Sequence, residues 1–431
     1  MLGAFVNAFR TPDLRRKMLF VLMIVAIFRF GSQLPSPGVD VGNVRQCVDQ
    51  VSNSGIYGLI NLFSGGALLQ LTVFALGIMP YITASIILQL LVVVIPRLET
   101  LKKEGQAGQA KITQYTRYLT LALAILQATG IVALARAGQL LQGCTLPLLY
   151  DDSMMTMAIM VLTMTAGTGV IMWFGELITD RGIGNGMSIL IFTQVVATFP
   201  STMWLLQETK GWAIFAMVLA IGMVIIATVI FMEQGQRRIP VQYARRMVGR
   251  KMYGGSSTYI PLKVNQAGII PVIFASSLLY LPALMTQFDQ DASNPLTSWI
   301  SQYFVQGDHP LYMAVYFGLI IFFTYFYVAI TFNPAEIADN MKKYGGFIPG
   351  IRAGKPTEEY LSYVLSRITL PGSIYLGLVA LVPLIALVLV DANANFPFGG
   401  TSILIMVGVA LDTVKQIESQ LQQRNYEGFL R

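Results

Sequence analysis

Few residues of this chain are of the types that carry out chemistry. The single histidine, His309, lies beside Pro310, and the two cysteines, Cys47 and Cys144, form no CxxC pair. Because a metal site needs several ligands together, we interpret His309 as an ordinary loop residue. We interpret the cysteines as incidental small residues, with a disulfide left open because both fall in predicted external loops.

Sequence signatures of catalysis are equally scarce. The sequence contains no Walker loop and no HExxH or GxSxG motif. A glycine-rich run at 182–186 has no following lysine and joins two apolar segments, so we interpret it as a tight turn and not as a phosphate-binding loop. The sequence therefore predicts a protein that is not an enzyme and that uses no cofactor or metal.

Ionisable residues are rare inside the apolar segments. Proton and sodium carriers typically hold a carboxylate or a histidine within the membrane. Here Glu176, Glu233 and Asp412 fall at segment ends, and Arg29 is the one clear ionisable residue well inside a segment. This pattern favours a passive conduit or a scaffold, and a secondary transporter for a small solute is kept as the alternative.

The composition indicates a membrane protein. The 431 residues are 55% hydrophobic and 12% charged, whereas a soluble domain carries about 25% charged residues. Ten apolar segments are candidates for membrane-spanning helices, which need about 20 residues each. They cover residues 18–34, 72–95, 114–135, 153–179, 187–206, 211–232, 265–288, 311–332, 368–390 and 400–413. The sequence therefore predicts an all-α polytopic membrane protein with ten transmembrane helices.

The distribution of lysine and arginine predicts the orientation. These residues cluster before the first span and after spans two, six and eight, while the other loops are nearly bare. Basic loops stay in the cytoplasm. We therefore expect a protein of the bacterial plasma membrane with both termini on the cytoplasmic side. We interpret the net charge of +7 first as a signal of membrane topology, and not primarily as a sign of nucleic-acid binding.

The ten spans divide into two sets of five. We expect an N-terminal half at 1–206, a C-terminal half at 211–413 and a cytoplasmic tail at 414–431. If the halves are repeats, the odd number of spans gives the second half the opposite topology and places a shared pathway at their interface. Polar residues in spans two, three and seven fit either a pathway lining or contacts between helices in a bundle.

Between spans one and two lies a glycine-punctuated segment, 55–67, that is too short to span. Its apolar side chains are Ile56, Leu59, Ile60, Leu62 and Phe63. These residues favour a short re-entrant or capping helix, and a small interfacial helix is the alternative.

Short runs with distinctive residues follow one another along nearly the whole chain. The first is Phe-Ala-Leu-Gly-Ile-Met-Pro-Tyr-Ile at 74–82. The others lie at 102–105, 114–118, 175–176, 180–186, 235–240, 261–265, 332–334, 338–340, 349–352 and 398–402. Taken in this order, the runs resemble the bacterial SecY family of protein-export channels. The resemblance implies an hourglass channel between two inverted halves, which moves unfolded preproteins across the membrane and membrane proteins sideways into it.

The resemblance also implies roles for particular residues. An apolar ring at the waist of the pore would consist of Ile78, Ile82, Met187, Ile191, Ile273 and Ile405. Residues 78/82 and 187/191 are i,i+4 pairs that share a helix face, although ordinary packing gives the same spacing. Segment 55–67 would be the plug, and a lateral gate would include Thr83, Gln127 and Asn265.

Two basic loops, 234–264 and 333–367, are implied to dock a motor or a ribosome. The residues are Arg237, Arg238, Arg245, Arg246, Arg250, Lys251 and Arg352. The implied partners are the SecA ATPase, the ribosome, the small membrane subunits SecE and SecG, preproteins with signal sequences, and anionic lipids. No sequence-specific nucleic-acid binding is expected.

Overall fold

The structure is a computed structural model of the chain. It describes residues 11–51, 67–68, 70–136, 138, 146–151, 153–243, 246–248, 251–253, 257–276, 278–279, 299–300, 303, 309–390 and 400–427. Each of the ten predicted apolar segments overlaps helical residues, which confirms the helical class.

The first half of the chain is built from long helices with short connections. They are α1 (Pro12–Gly31), α2 (Val41–Val51), α3 (Met79–Val94), α4 (Pro96–Lys103), α5 (Gln106–Arg136), α6 (Met154–Arg181) and α7 (Gly186–Gln234). Helix α7 carries both the fifth and the sixth predicted spans, because the chain continues through a break at Gly211, where φ is 81°. Glycine adopts this left-handed conformation without the penalty that a side chain would bring.

Four helices follow in the second half. Residues 270–276 and 278–279 are helical within the seventh predicted span, and α8 (Pro310–Thr331), α9 (Pro334–Lys343), α10 (Lys355–Val390) and α11 (Gly400–Glu427) come after it. The tenth predicted span therefore continues into its polar end, as expected. His309 caps α8, since its Nδ1 atom accepts a hydrogen bond from the Leu311 N–H at 3.1 Å.

Five helices of the described part are long and apolar enough to cross a membrane. They are α5, α6, α8, α10 and the second part of α7 from Gly211 onward. Helices α3 and α4 qualify as a sixth span only together, and they are bent by 100° at Pro96. The 16 residues of α3 are fewer than the 24 predicted for span two (72–95).

Two small antiparallel sheets interrupt the helical pattern, and all of their strands except β5 lie in the loop between the sixth and seventh spans. Strands β1 (Gln236–Tyr243) and β4 (Ser257–Lys263) pair antiparallel, β5 (Gly346–Phe347) adds to β1, and β2 (Arg246–Val248) pairs with β3 (Lys251–Tyr253). The prediction treated these residues as loops. In β1, buried Ile239 and Val241 alternate with exposed residues over only a few positions, next to two arginines. The alternation of apolar and polar residues that marks a strand is therefore weak in the sequence.

A disulfide joins helix α2 to another part of the chain. Cys47, within α2, is fully buried and disulfide-bonded, and the second cysteine of the sequence, Cys144, lies outside the described residues. The interpretation of Cys47 as an incidental residue was wrong. Nearby, the side chain of Asn43 donates to the Pro147 carbonyl at 2.9 Å, and the Asp40 N–H donates to the Leu148 carbonyl at 3.0 Å.

Candidate functional site

A cluster of buried apolar side chains lies where the two halves of the chain meet, and we call it the central cluster. Its members are Ile24, Phe28, Phe74, Ile78, Ile171, Phe174, Ile178, Ile189, Leu190, Ile191, Val195, Ile405 and Val409. Most come from the first five spans, whereas Ile405 and Val409 come from α11. The cluster therefore packs side chains of α11 against side chains of the first five spans.

Five of the six residues predicted for the pore ring meet in this cluster. Ile78, Ile191 and Ile405 are buried members, and Ile82 and Met187 pack against them partly buried. The sixth, Ile273, is 4% exposed but is not a member of the central cluster. The structure thus brings residues from α3, α7 and α11 together.

The start of α3 fixes Ile78 and Ile82 on one side of the helix. Pro80 lies in the first turn, where a missing N–H costs nothing. The carbonyl of Ile78 accepts the Ile82 N–H at 3.1 Å, so the i,i+4 relation is made by a hydrogen bond. The preceding chain is not helical, and Leu71 (φ 48°) and Gly77 (φ 55°) adopt left-handed conformations.

Small residues on neighbouring helices make room for this irregular segment. The ring of Phe74 stacks on Phe28 with centroids 5.8 Å apart. A methyl group at Gly31 would lie 2.2 Å from the Phe74 ring, and one at Gly167 would lie 2.1 Å from the Val73 carbonyl oxygen. Non-helical backbone at membrane depth is tolerated where protein buries it, and here it delivers Ile78 to the cluster.

Met187 is positioned by a close approach of α6 and α7. The Asn185 side chain caps α7 by accepting the Met187 N–H at 3.1 Å. A methyl group at Gly186 would lie 1.9 Å from the Gly175 carbonyl oxygen, and one at Gly175 would lie 2.3 Å from the Met187 sulfur. The thioether of Met187 therefore rests on the Gly175 backbone of α6.

Two of the three residues predicted for the lateral gate, Thr83 and Asn265, make hydrogen bonds within their own half of the chain. The Thr83 hydroxyl donates to the Met79 carbonyl at 2.9 Å. Asn265 is 3% exposed, and its Nδ2 atom donates to Glu233 Oε1 at 2.5 Å and to the Gly268 carbonyl at 3.2 Å. Gln127 is partly buried on α5. Their part in a gate stays a prediction.

An ion pair between α5 and α6 was missed by the sequence reasoning. Arg117 donates from Nε and Nη2 to the two carboxylate oxygens of Glu176, each at 2.8 Å, and from Nη1 to Gln114 Oε1 at 3.1 Å. Such a bidentate pair fixes orientation as well as distance. Both residues lie in runs that carry the family resemblance, but no spacing rule links positions 59 apart.

The basic residues predicted for docking are divided between strands and turns. Arg237 and Arg238 are exposed on β1, and the Arg238 guanidinium lies 4.9 Å from the centre of the Tyr259 ring. Arg352 is exposed in the turn before α10. Arg246 and Lys251 lie in strands β2 and β3.

Some predicted site residues lie outside the described residues. These are Arg245 and Arg250 of the first basic loop and the plug residues Ile56, Leu59, Ile60, Leu62 and Phe63. Their roles stay predictions.

Comparison with known proteins gives a consistent result. The sequence profile of the SecY family matches residues 72–414. The chain is 67% identical over 438 residues to the protein translocase subunit SecY of Streptomyces galbus, and the alignment covers 100% of both chains.

Solved structures show the same fold. A SecY protein whose plug domain stabilises the closed state of its translocation channel superposes with a TM-score of 0.61 at 18% identity, covering 94% of this chain and 91% of that one. Sec61 from the canine ribosome-channel complex gives a TM-score of 0.59 at 17% identity, with the same coverages. The fold is thus the ten-helix arrangement of two inverted halves around a central pore. From its full-length identity and its profile match, the chain belongs to the SecY family of protein translocase subunits.

Proposed function

We propose that this chain is the protein-conducting channel of a bacterial Sec translocase. It moves unfolded preproteins across the plasma membrane and releases membrane proteins sideways into the lipid. Membership of the SecY family supports this function and gives no support to a small-solute transporter. The observation that carries the mechanism is the central cluster, which gathers Ile78, Ile191 and Ile405 from three separate helices.

The central cluster accounts for how such a channel stays closed to ions. A narrow apolar constriction excludes water and gates by dewetting. An ion entering it loses hydration and finds no ligand in return, which is prohibitive in a hydrocarbon environment. A polypeptide can push flexible side chains such as Met187 aside, and they close around it.

Segment 55–67 is proposed as the plug on the external side of the ring. It follows α2 directly, and Cys47 in that helix is disulfide-bonded. A plug fits the solved SecY relative, in which the plug domain maintains a membrane seal.

The proposed orientation places both termini and the basic loops in the cytoplasm. The Cys47 disulfide supports it independently of charge, because disulfides persist outside the cytoplasm. Five predicted spans lie between Cys47 and β1, and an odd number of crossings gives the two opposite sides of the membrane. A disulfide on the external side therefore agrees with arginines on the cytoplasmic side of a plasma membrane.

The basic sheet and Arg352 are proposed to bind the cytosolic partners that drive transport. Arg237, Arg238 and Arg352 are exposed, and lysine and arginine are attracted to ribosomal RNA and to acidic protein surfaces. Binding of a ribosome is consistent with the canine Sec61 neighbour. We expect SecA as the motor and SecE and SecG as membrane subunits.

The function is tested by locating a preprotein in transit. A photo-crosslinking amino acid replaces Ile82 in the reconstituted translocase, and a signal-bearing preprotein with a folded C-terminal domain is trapped midway. We expect crosslinks from position 82, whereas the same residue at Ile320, which is buried among α8, α10 and their neighbours, should give none. Equal labelling at the two positions, or none at position 82, would contradict a path through the central cluster.

A further inference from the structure

Two buried polar side chains near the central cluster are not explained by the channel function. Gln194 on α7 and Ser402 on α11 are each 1% exposed. The described part of the chain offers no hydrogen-bond partner to Nε2 of Gln194 or to Oγ of Ser402. A polar group that is buried without a partner destabilises the folded protein, so these two groups require a ligand or a contact that satisfies them.

Helices α7 and α11 run in opposite directions where they pack in the central cluster. Just before α7 begins, a methyl group at Gly184 would lie 3.6 Å from Oγ1 of Thr413 on α11. Farther along, Ile191 of α7 and Ile405 of α11 meet in the cluster. Between these two contacts the residue numbers rise along one segment and fall along the other by nearly the same amount, which fixes an antiparallel register.

Gln194 and Ser402 lie at the same level in this register. Gln194 comes three residues after Ile191, and Ser402 comes three residues before Ile405, so both are displaced from the isoleucine pair by about 4.5 Å in the same direction. Residues three and four apart share a helix face, and Val195, next to Gln194, also belongs to the central cluster. Each polar side chain therefore lies on the side of its helix that packs in the cluster.

From this geometry we infer that Gln194 and Ser402 together bind one buried water molecule, which joins the first five spans to α11 beside the central cluster. The two side chains form no direct hydrogen bond with each other. A water molecule accepts the N–H of Gln194 and donates to the Ser402 hydroxyl, and buried waters in proteins bind polar groups that are otherwise unsatisfied. Because neither side chain carries a charge, the pair suits a neutral ligand and not an ion.

Such a water bridge affects how the two halves separate. The hydrocarbon contacts around Ile191 and Ile405 are non-directional, whereas a bridge between Gln194 and Ser402 requires one register and one separation of the two helices. Parting α7 from α11 at this level breaks the bridge, so the bridge stabilises the closed arrangement. This consequence rests on the proposed channel function, but the bridge itself does not.

A double-mutant cycle in denaturant unfolding of the purified, detergent-solubilised chain tests the bridge. Gln194→Met and Ser402→Ala each remove one polar group and introduce no new one. We expect each substitution to increase the unfolding equilibrium constant, and the two effects to couple by about threefold to fifteenfold, the range measured for hydrogen bonds between membrane helices. Ser402→Thr keeps the hydroxyl and should keep the coupling with Gln194→Met.

Tyr375→Phe supplies the matched control. The Tyr375 hydroxyl is also buried without a partner among the described residues, but it belongs to the core of the second half, where it interacts electrostatically with Glu233. Its effect should add to that of Gln194→Met without coupling. The inference is overturned if the substitutions of Gln194 and Ser402 are additive. It is also overturned if each of them stabilises the protein, because removal of an unbridged polar group relieves its desolvation.

Ion conductance in planar bilayers tests the consequence for closure. Both single variants and the double variant should raise the open fraction of the reconstituted channel by a similar factor, since either substitution removes the whole bridge. An unchanged open fraction in all three variants would overturn the role of the bridge in closure. A failure of the channel function itself would instead appear as missing preprotein crosslinks from position 82.

Discussion

The contact between Gly175 and Met187 offers a sharp test of how the ring is positioned. A methyl group at Gly175 would lie 2.3 Å from the sulfur and 2.6 Å from the terminal carbon of Met187. Methionine can rotate away, so overpacking of this kind should cost about 1–3 kcal/mol. Replacing glycine by alanine within a helix gains about 0.5–1 kcal/mol. Gly175→Ala should therefore range from nearly neutral to destabilising by about 2.5 kcal/mol.

Gly169 on the same helix supplies the matched control. A methyl group there would meet only a Leu121 carbon, at 3.9 Å. Gly169→Ala should therefore stabilise the protein by about 0.5–1 kcal/mol, and the difference between the two alanine variants measures the clash. In a Met187→Ala background the clash partner is gone, so Gly175→Ala should become stabilising as well.

Denaturant unfolding in detergent gives the free energies, and ion conductance in planar bilayers reports the seal. Gly175→Ala should raise the conductance of the closed channel because it moves Met187, whereas Gly169→Ala should not. If the two variants have the same free energy of unfolding and the same closed-channel conductance, the position of Met187 does not depend on Gly175 and the reasoning fails.

Four further predictions concern other contacts. Alanine substitutions of Arg117 and Glu176, singly and together, should show a coupling energy of about 1–2 kcal/mol in a double-mutant cycle, since the pair is bidentate and partly buried. Cys47→Ser should lower the free energy of unfolding by about 2–4 kcal/mol under oxidising conditions. Asn265→Leu removes the hydrogen bond to the partly buried carboxylate of Glu233 and should alter the export of a reporter with a defective signal sequence. Arg352→Glu should reduce motor-driven export by reversing a charge on the docking surface.

The first of these predictions has a control within the chain. The exposed pair of Lys103 and Glu99, whose side chains are 74% and 51% exposed, should couple by less than about 0.5 kcal/mol. An equally small coupling energy for Arg117 and Glu176 would mean that their ion pair does not stabilise the contact between α5 and α6. A reducing agent should bring the wild type to the stability of Cys47→Ser; a remaining gap would mean that packing, and not the disulfide, is responsible. Unchanged reporter export in Asn265→Leu, or intact motor-driven export in Arg352→Glu, would remove those residues from their proposed roles.

The sequence predicts the helical segments well because each depends on a local property. A run of apolar residues such as 311–332 identifies α8 (Pro310–Thr331) without knowledge of its neighbours. The pair Ile78 and Ile82 came from the family resemblance, with which its i,i+4 spacing agrees, and the same resemblance supplied its partner on α11, Ile405.

Features that depend on distant residues could not be predicted in this way. The irregular chain before Met79 is stable because Gly31 and Gly167 on other helices leave space for Phe74 and Val73. The pairing of β1 with β4 depends on a register between short strands that are rich in charge. The disulfide of Cys47 is invisible to local patterns, because two cysteines far apart in a sequence carry no pairing signal.

The central claim is that apolar side chains at the meeting point of the two halves seal the channel against ions. It is tested most directly by single-channel conductance of the reconstituted chain with Ile82→Ser and Ile191→Ser, compared with Ile320→Ser in the α8 core. The account predicts almost no ion conductance for the wild type and for Ile320→Ser, and a sustained ion leak when residues 82 and 191 are both serine. A double variant as tight as the wild type would contradict the claim.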